Sequence, residues 1–263
     1  MKLFLKLGFL GTNYCGYQVQ DNAPTVQQVL CETAEKLFGF PCDVVGCSRT
    51  DSGVHAEEFC VTVTKKGETG LDISIPLDKI PIAMNCFLPS DIAVLEAQFR
   101  DERFHARYDV KYKEYVYRIW NSKIKNPFFA DRMMHLPTVV SEEAVALADE
   151  AAQMFVGTKD FRSFMASGSK ITDTVRTVYH ANVSKEGDVI CFRVAANGFL
   201  YHMVRIMAGT LVDVLCGRSK PCDVENIING LDRKMAGGTA PACGLYLHKV
   251  SYEPYTREGG ETK

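Results

Sequence analysis

Lys2-Leu-Phe-Leu-Lys-Leu-Gly-Phe9 alternates, with Leu3, Leu5, Leu7 and Phe9 on one side, and a period of two predicts a half-buried strand. Downstream, Thr25-Val-Gln-Gln28 fits a capping box, and Val26, Val29, Leu30, Ala34, Leu37 and Phe38 form one apolar stripe ended by Gly39. A helix is predicted there. Strands over 43–45 and 59–64, a helix over 77–85 despite Pro81, and a strand over 92–97 follow. The order is β-α-β-β-α-β.

The pattern then recurs. A strand is predicted over 110–120, a helix over 142–155 capped by Ser141, and a hairpin of 174–183 and 189–196 turning through Glu186-Gly-Asp188. Helices over 201–216 and 224–231 and a strand over 245–250 follow. This predicts an α+β fold of two ferredoxin-like halves with antiparallel sheets and a central cleft able to take a substrate. The halves span 1–105 and 106–252, and Glu258-Gly-Gly-Glu-Thr-Lys263 reads as the end of a frayed tail over 253–263.

At 263 residues and 46% hydrophobic content the chain has ample material for a core. Lysines interrupt the apolar N-terminus and no run approaches membrane-spanning length, so a soluble cytoplasmic protein with no membrane partner is expected. The 10 cysteines include no Cys-x-x-Cys, which argues against a thiolate zinc site; they read as reduced, mostly buried thiols. A net charge of −2 argues against non-specific coating of nucleic acid. Locally, residues 100–125 hold eight Lys or Arg against four acids, which suits either a solvated strand face or a phosphate-binding one.

Three features could carry chemistry. Gly46-Cys-Ser-Arg-Thr-Asp-Ser-Gly-Val-His-Ala56 gathers Arg49, Asp51 and His55 in one loop, although Asp-Ser-Gly is also ordinary turn chemistry. Arg205 lies in a helix apolar nearly all round, and a guanidinium there needs a carboxylate or a phosphate. Asp213, eight residues on and about two turns away, is an awkward partner, and Asp51 is a better one if the halves face each other. In the third, Lys111-Tyr-Lys-Glu-Tyr-Val-Tyr-Arg-Ile119, alternation sends Lys111, Lys113, Tyr115 and Tyr117 to one side. Bases with aromatics suit nucleic acid, and the same pattern suits tyrosines filling a core with lysines at its rim.

The loop 46–56 resembles the signature of TruA-type tRNA pseudouridine synthases, in which an arginine precedes the catalytic aspartate by two residues. Phe9-Leu-Gly-Thr-Asn-Tyr-Cys-Gly-Tyr-Gln18, Thr25-Val-Gln27, Arg103-Phe-His-Ala-Arg107 and Lys113-Glu-Tyr-Val-Tyr117 resemble further family segments. So do Phe155-Val-Gly-Thr-Lys-Asp-Phe161, Asp173-Thr-Val-Arg-Thr177, Asn197-Gly-Phe-Leu-Tyr-His-Met-Val-Arg205 and Ala240-Pro-Ala-Cys-Gly-Leu-Tyr-Leu247, all in the family's order. The sequence departs at Cys47, Ser48 and Ser52, where small residues such as Ala or Gly are more common. It departs again at Tyr17, commonly Trp, and at Leu10-Gly11, usually Asp-Gly.

The resemblance implies isomerisation of uridine to pseudouridine in the anticodon stem-loop of tRNA, at positions 38–40. No cofactor or metal is implied, and the sequence has no phosphate-cradling glycine loop or dinucleotide fingerprint. Asp51 is the implied catalytic carboxylate, supported by Arg49 and Arg205; whether it attacks C1′, attacks C6 or removes a ribose proton stays open. Tyr115 would lie against the flipped base, with Leu245 as another wall. Lys111, Lys113 and Arg107 would bind substrate, and Lys159, Arg162, Lys170 and Arg176 would extend the phosphate grip. His55 and His202 read as structural. The family acts as homodimers with one tRNA touching both subunits.

Two rival readings compete. An aspartic protease would share Asp51-Ser-Gly53, but that triplet normally follows an apolar strand directly, and no second triplet supplies the paired carboxylate. A non-catalytic RNA-binding module would explain Lys113, Tyr115 and Arg118 and leave Arg205 without a role.

Overall fold

A computed structural model describes residues 1–21, 23–168 and 171–256. The expected tail residues Glu258 to Lys263, and Lys170 of the expected phosphate grip, lie outside the described residues.

The first half runs β1 (Lys2–Phe9), α1 (Val26–Phe38), β2 (Cys42–Gly46), β3 (His55–Lys65), α2 (Ile80–Asn85) and β4 (Ile92–Arg100). The second runs β5 (Tyr112–Asn121), β6 (Met134–Leu136), α3 (Glu142–Gln153), β7 (Gly157–Asp160), β8 (Val175–Glu186), β9 (Val189–Ala196), α4 (Met203–Leu215), α5 (Asp223–Gly230) and β10 (Leu245–Ser251). The fold is mixed α+β around one large, mostly antiparallel sheet in the order β4-β1-β3-β10-β5-β9-β8-β7, with β2 on β3 and β6 on β5.

The expected division after residue 105 falls between β4 and β5, and β10 links the two sides. It runs parallel to β3, with Tyr246 opposite His55, and antiparallel to β5, with Leu247 opposite Tyr115 and Leu245 opposite Tyr117. The loops that follow β2 and precede α4 and β10 therefore meet over the middle of the sheet.

Local sequence accounts for most boundaries. Thr25 Oγ1 accepts from the Gln28 N–H at 3.4 Å, and Gly39 closes α1 at φ 79°, a conformation a side chain would strain. The return leg of the predicted capping box is not made, because the Gln28 amide donates to Glu32 one turn on. Pro81 sits in the first turn of α2, where a missing N–H is tolerated, and the preceding residues Leu77–Lys79 form a 3-10 turn. In β1 the alternation holds, but Phe4 is also buried, packed edge-on against Phe104 and Tyr252 at 5.6 Å. β3 begins at His55 rather than Phe59, and β6 and β7 are additional short strands.

α3 and α4 pack on each other and on the sheet, burying Phe155, Phe161, Phe164 and Phe192 completely or nearly so. Each such ring contributes roughly 1.5–3 kcal/mol. All ten cysteines are free thiols. Among the described residues no helix is long and apolar enough to cross a membrane.

Candidate functional site

The loop after β2 is held at both ends. Cys47 is fully buried, its N–H donates to the Cys60 carbonyl at 2.8 Å, and the Cys60 N–H points at Cys47 Sγ. Burial pushes the Cys47 thiol up to about 11, so it packs as a neutral small group. Further along, the Tyr17 N–H donates to the Thr50 carbonyl, and the Gly53 N–H and Ser52 Oγ both donate to the Tyr14 carbonyl. Gly16 permits this strapping: its φ is +83°, and a Cβ there would stand 2.4 Å from the Thr50 oxygen. Tyr17 stacks on Phe59 at 4.5 Å and occupies the space a Cβ on Gly46 would need.

His55 secures the exit of the loop. The Gly11 N–H donates to its Nδ1 at 2.9 Å, so the proton sits on Nε2, which faces the Cys243 carbonyl at 3.1 Å. The ring is wholly buried, and burial lowers its pKa. His55 is structural, joining the residues after β1 to those before β10.

Within this frame Asp51 faces α4. Arg205 Nη1 donates to Asp51 Oδ2 at 3.2 Å and Arg205 Nε donates to the Ala240 carbonyl at 2.8 Å, so this partly buried guanidinium is paired. Asp213 pairs with Arg218 instead. His202 Nε2 also approaches Asp51 Oδ2, at 3.3 Å, a contact for which the sequence offers no signal.

These residues line a cavity of about 1050 Å³ between the halves. Tyr115 forms part of its wall: buried, with its hydroxyl 3.5 Å from Ser48 Oγ and its ring edge-on to Phe199 at 5.0 Å. Burial raises its pKa, so the phenol stays protonated. Leu245, Lys113, Arg107 and Arg49 also line the cavity, and burial lowers the Lys113 pKa. Arg49 is exposed, and among the described residues the ion pairs of Asp51 are with Arg205 and His202 only. Lys111 stands apart: it precedes β5, is exposed, does not line the cavity, and its N–H donates to the Ser251 carbonyl. Tyr117 fills the core, donating its hydroxyl to the Pro241 carbonyl.

Of the other cations, Arg162 pairs with Asp160, Arg176 donates to the carbonyls of Asp173 and Val175, and Lys159 donates to the Met154 carbonyl. Among the described residues no cluster of three or more His, Cys, Asp or Glu could hold a metal.

A mixed sheet with a cleft at its centre, and an arginine-held carboxylate in that cleft, define an enzyme-like site in an α+β protein. Comparison gives the family. The family model described as tRNA pseudouridine synthase matches residues 151–253. The tRNA pseudouridine synthase A of Thermoanaerobacter sp. (strain X514) is 43% identical over 242 residues, covering 92% of this chain and 96% of that one. That of Ruminiclostridium cellulolyticum is 43% identical over 252 residues, covering 95% and 99%, and that of Lacticaseibacillus casei 41% over 249 residues, covering 94% and 97%. The chain belongs to the tRNA pseudouridine synthase A family, whose members are uridine-to-pseudouridine isomerases.

Proposed function

We propose that this protein isomerises uridine in the anticodon stem-loop of tRNA, at positions 38–40, with Asp51 as the essential carboxylate. It acts without a cofactor, as a cytoplasmic homodimer, each subunit contributing part of the tRNA-binding surface. The observation that carries this reading is the Asp51 carboxylate held by Arg205 on the wall of a cavity of about 1050 Å³.

The reaction breaks the bond between uracil N1 and ribose C1′, turns the base and rejoins it through C5. A carboxylate beside the sugar can act as a nucleophile or stabilise a cation-like glycosidic transition state. Arg205 donates to Asp51 Oδ2 and so orients the carboxylate on the cavity wall. Tyr115, protonated and rigidly packed, gives the flipped base a flat wall, and Leu245 bounds it on another side. Flipping costs roughly a few kcal/mol, offset by backbone contacts. Arg49, exposed at the cavity, together with Arg107 and Lys113, is suited to phosphates or to the space the base vacates; Lys111 reaches RNA only outside the cavity. An RNA spanning two subunits reconciles a net charge of −2 with RNA binding, since only one basic face per subunit is needed.

The test is to incubate the protein and its Asp51→Asn variant with unmodified tRNA transcripts and map pseudouridine by carbodiimide labelling and primer extension. Modification confined to the anticodon arm and absent with Asp51→Asn is the expected result. Activity retained by Asp51→Asn would remove Asp51 from the chemistry, and modification elsewhere would overturn the substrate position.

A further inference from the structure

His202 has two properties that its place in an apolar segment does not explain. Its backbone is left-handed, at φ 60° and ψ 9°, a conformation that a residue with a Cβ seldom adopts. It occupies the N-cap position of α4, yet its side chain makes no capping bond to the helix. The imidazole turns instead into the cavity, where Nε2 lies 3.3 Å from Asp51 Oδ2, the same oxygen that Arg205 Nη1 reaches at 3.2 Å. Among the described residues no hydrogen bond goes to Asp51 Oδ1.

We infer that His202 is a positioning residue for the reaction: with Arg205 it occupies Asp51 Oδ2 and so leaves Oδ1 as the oxygen presented to the substrate. The inference rests on the reading that Asp51 carries the chemistry. A carboxylate has two equivalent oxygens and rotates about its Cβ–Cγ bond. A single donor on Oδ2 leaves that rotation partly free, whereas two donors approaching from different directions fix the plane of the group, and the free oxygen then has one direction. Placement of this kind is what turns a bound group into a correctly aimed one. In the structure His202 approaches Oδ2 without making a hydrogen bond. A carboxylate oxygen only accepts, so in the inferred arrangement, completed when substrate closes the site, the nitrogen facing it carries the ring proton and the neutral ring donates.

The groups facing His202 come from three places: Asp51 in the loop after β2, Arg205 in α4, and Arg233 in the turn after α5. Burial lowers the His202 pKa most, the two arginines lower it further, and Asp51 raises it; the net shift is downward. At neutral pH the ring is therefore an uncharged donor. Protonated, it adds a second positive charge at Oδ2 beside Arg205, draws charge from Oδ1 and weakens that oxygen as a nucleophile or base.

The experiment compares His202→Ala and His202→Asn with the unaltered protein in single-turnover pseudouridine formation on a tRNA transcript, with tRNA affinity measured in parallel. Loss of one donor to a charged acceptor is expected to slow His202→Ala by about 10- to 100-fold, with affinity within about twofold. Asn keeps an N–H donor and tolerates the left-handed backbone, so His202→Asn is expected to recover to within about threefold of the unaltered rate. The unaltered protein should lose rate on the acid side, below pH of about 6.5, and His202→Asn should lack that limb. A full rate in His202→Ala, or an unchanged acid limb in His202→Asn, would overturn the inference. Should His202→Ala fail to fold, the pH profile of His202→Asn decides. Asp51→Asn is run alongside: if it is active the parent reading falls, and if it is inactive while His202→Ala is unaffected, only the role of His202 falls.

Discussion

Arg205 Nη1 lies 3.2 Å from Asp51 Oδ2 although 154 residues separate the two in sequence. The same guanidinium reaches the Ala240 carbonyl through Nε, so one side chain ties the loop after β2, helix α4 and the segment leading to β10 into a single site. Replacing it by Met should lower the turnover rate about 100-fold or more, the weight of a preorganised charged donor. Stability should fall by about 1–3 kcal/mol through the carbonyl left unpaired. Arg205→Lys keeps the charge without the fork geometry and should fall between the two. Single-turnover rates and urea melts on the three proteins check this, and equal rates for Lys and Met would show that charge contributes little.

Gly209 lies one turn beyond Arg205, and a Cβ there would stand 1.8 Å from the Gly238 carbonyl oxygen. The obstacle is backbone, so Gly209→Ala must push the segment around Gly238 away from α4. The Gly237 N–H to Thr210 Oγ1 bond and the Ala240 carbonyl that anchors Arg205 lie in its path. A destabilisation of about 1–3 kcal/mol is expected, together with a loss of activity although no cavity residue has changed. Denaturant midpoints and tRNA modification rates measured on the same preparation test the coupling; a stable but inactive variant would confine the effect to the site.

The buried His55 makes stability depend on pH. Its folded-state pKa lies below the ordinary value, so its contribution is fully present above a pH of about 6.5 and is lost as pH falls through the folded value. Protonation also removes the acceptor for the Gly11 N–H. His202 contributes with the same sign. Melting temperatures from pH 7.5 to 5 should therefore decline, and His55→Phe should be less stable at pH 7.5 and decline less steeply. A parallel decline in both proteins would assign the pH dependence to other groups.

Tyr115 separates the two uses of an aromatic wall. Its hydroxyl has only a long contact with Ser48, so Tyr115→Phe should leave stability within about 1 kcal/mol and slow the reaction less than tenfold. Tyr115→Ala removes a buried ring and should cost about 3–5 kcal/mol as well as most of the activity. Measured loss in the Phe variant as large as in Ala would mean that the phenol proton, rather than the ring face, takes part in the chemistry.

Several of these relationships are legible in the order of residues alone. Arg205 in an apolar helix demands a partner because a guanidinium keeps its charge, and the distance to Asp213 points to Asp51. His202 makes no such demand: a neutral imidazole carries no charge that burial must compensate, and the left-handed backbone that aims it leaves no mark in the residue type. Lys111 falls off the cavity face, against the expectation from alternation, because β5 begins one residue later and the period of two does not reach back to it. The beginning of β3 is hidden for a related reason. Glu57 and Glu58 break the apolar pattern at a bulge in the pairing with β1, where Glu57 is held by Arg118 and His248.

What depends on neighbours along the chain is therefore written in the sequence. The β-α-β-β-α-β order of the first half and the long strands and helices of the second follow from periods of two and of about 3.6, the ends of α1 follow from Thr25 and Gly39, and the site loop is recognisable from its own residues. How the halves join, and which oxygen of Asp51 is occupied, are settled at the level of tertiary contacts. β10 pairs with both β3 and β5, and β6 and β7 exist as strands only because longer neighbours supply their hydrogen bonds. Pairings of this kind are made between residues far apart in the chain, so no local pattern encodes them. They come from burying the apolar side chains of residues distant in the chain against one another and pairing the Arg205 guanidinium with Asp51.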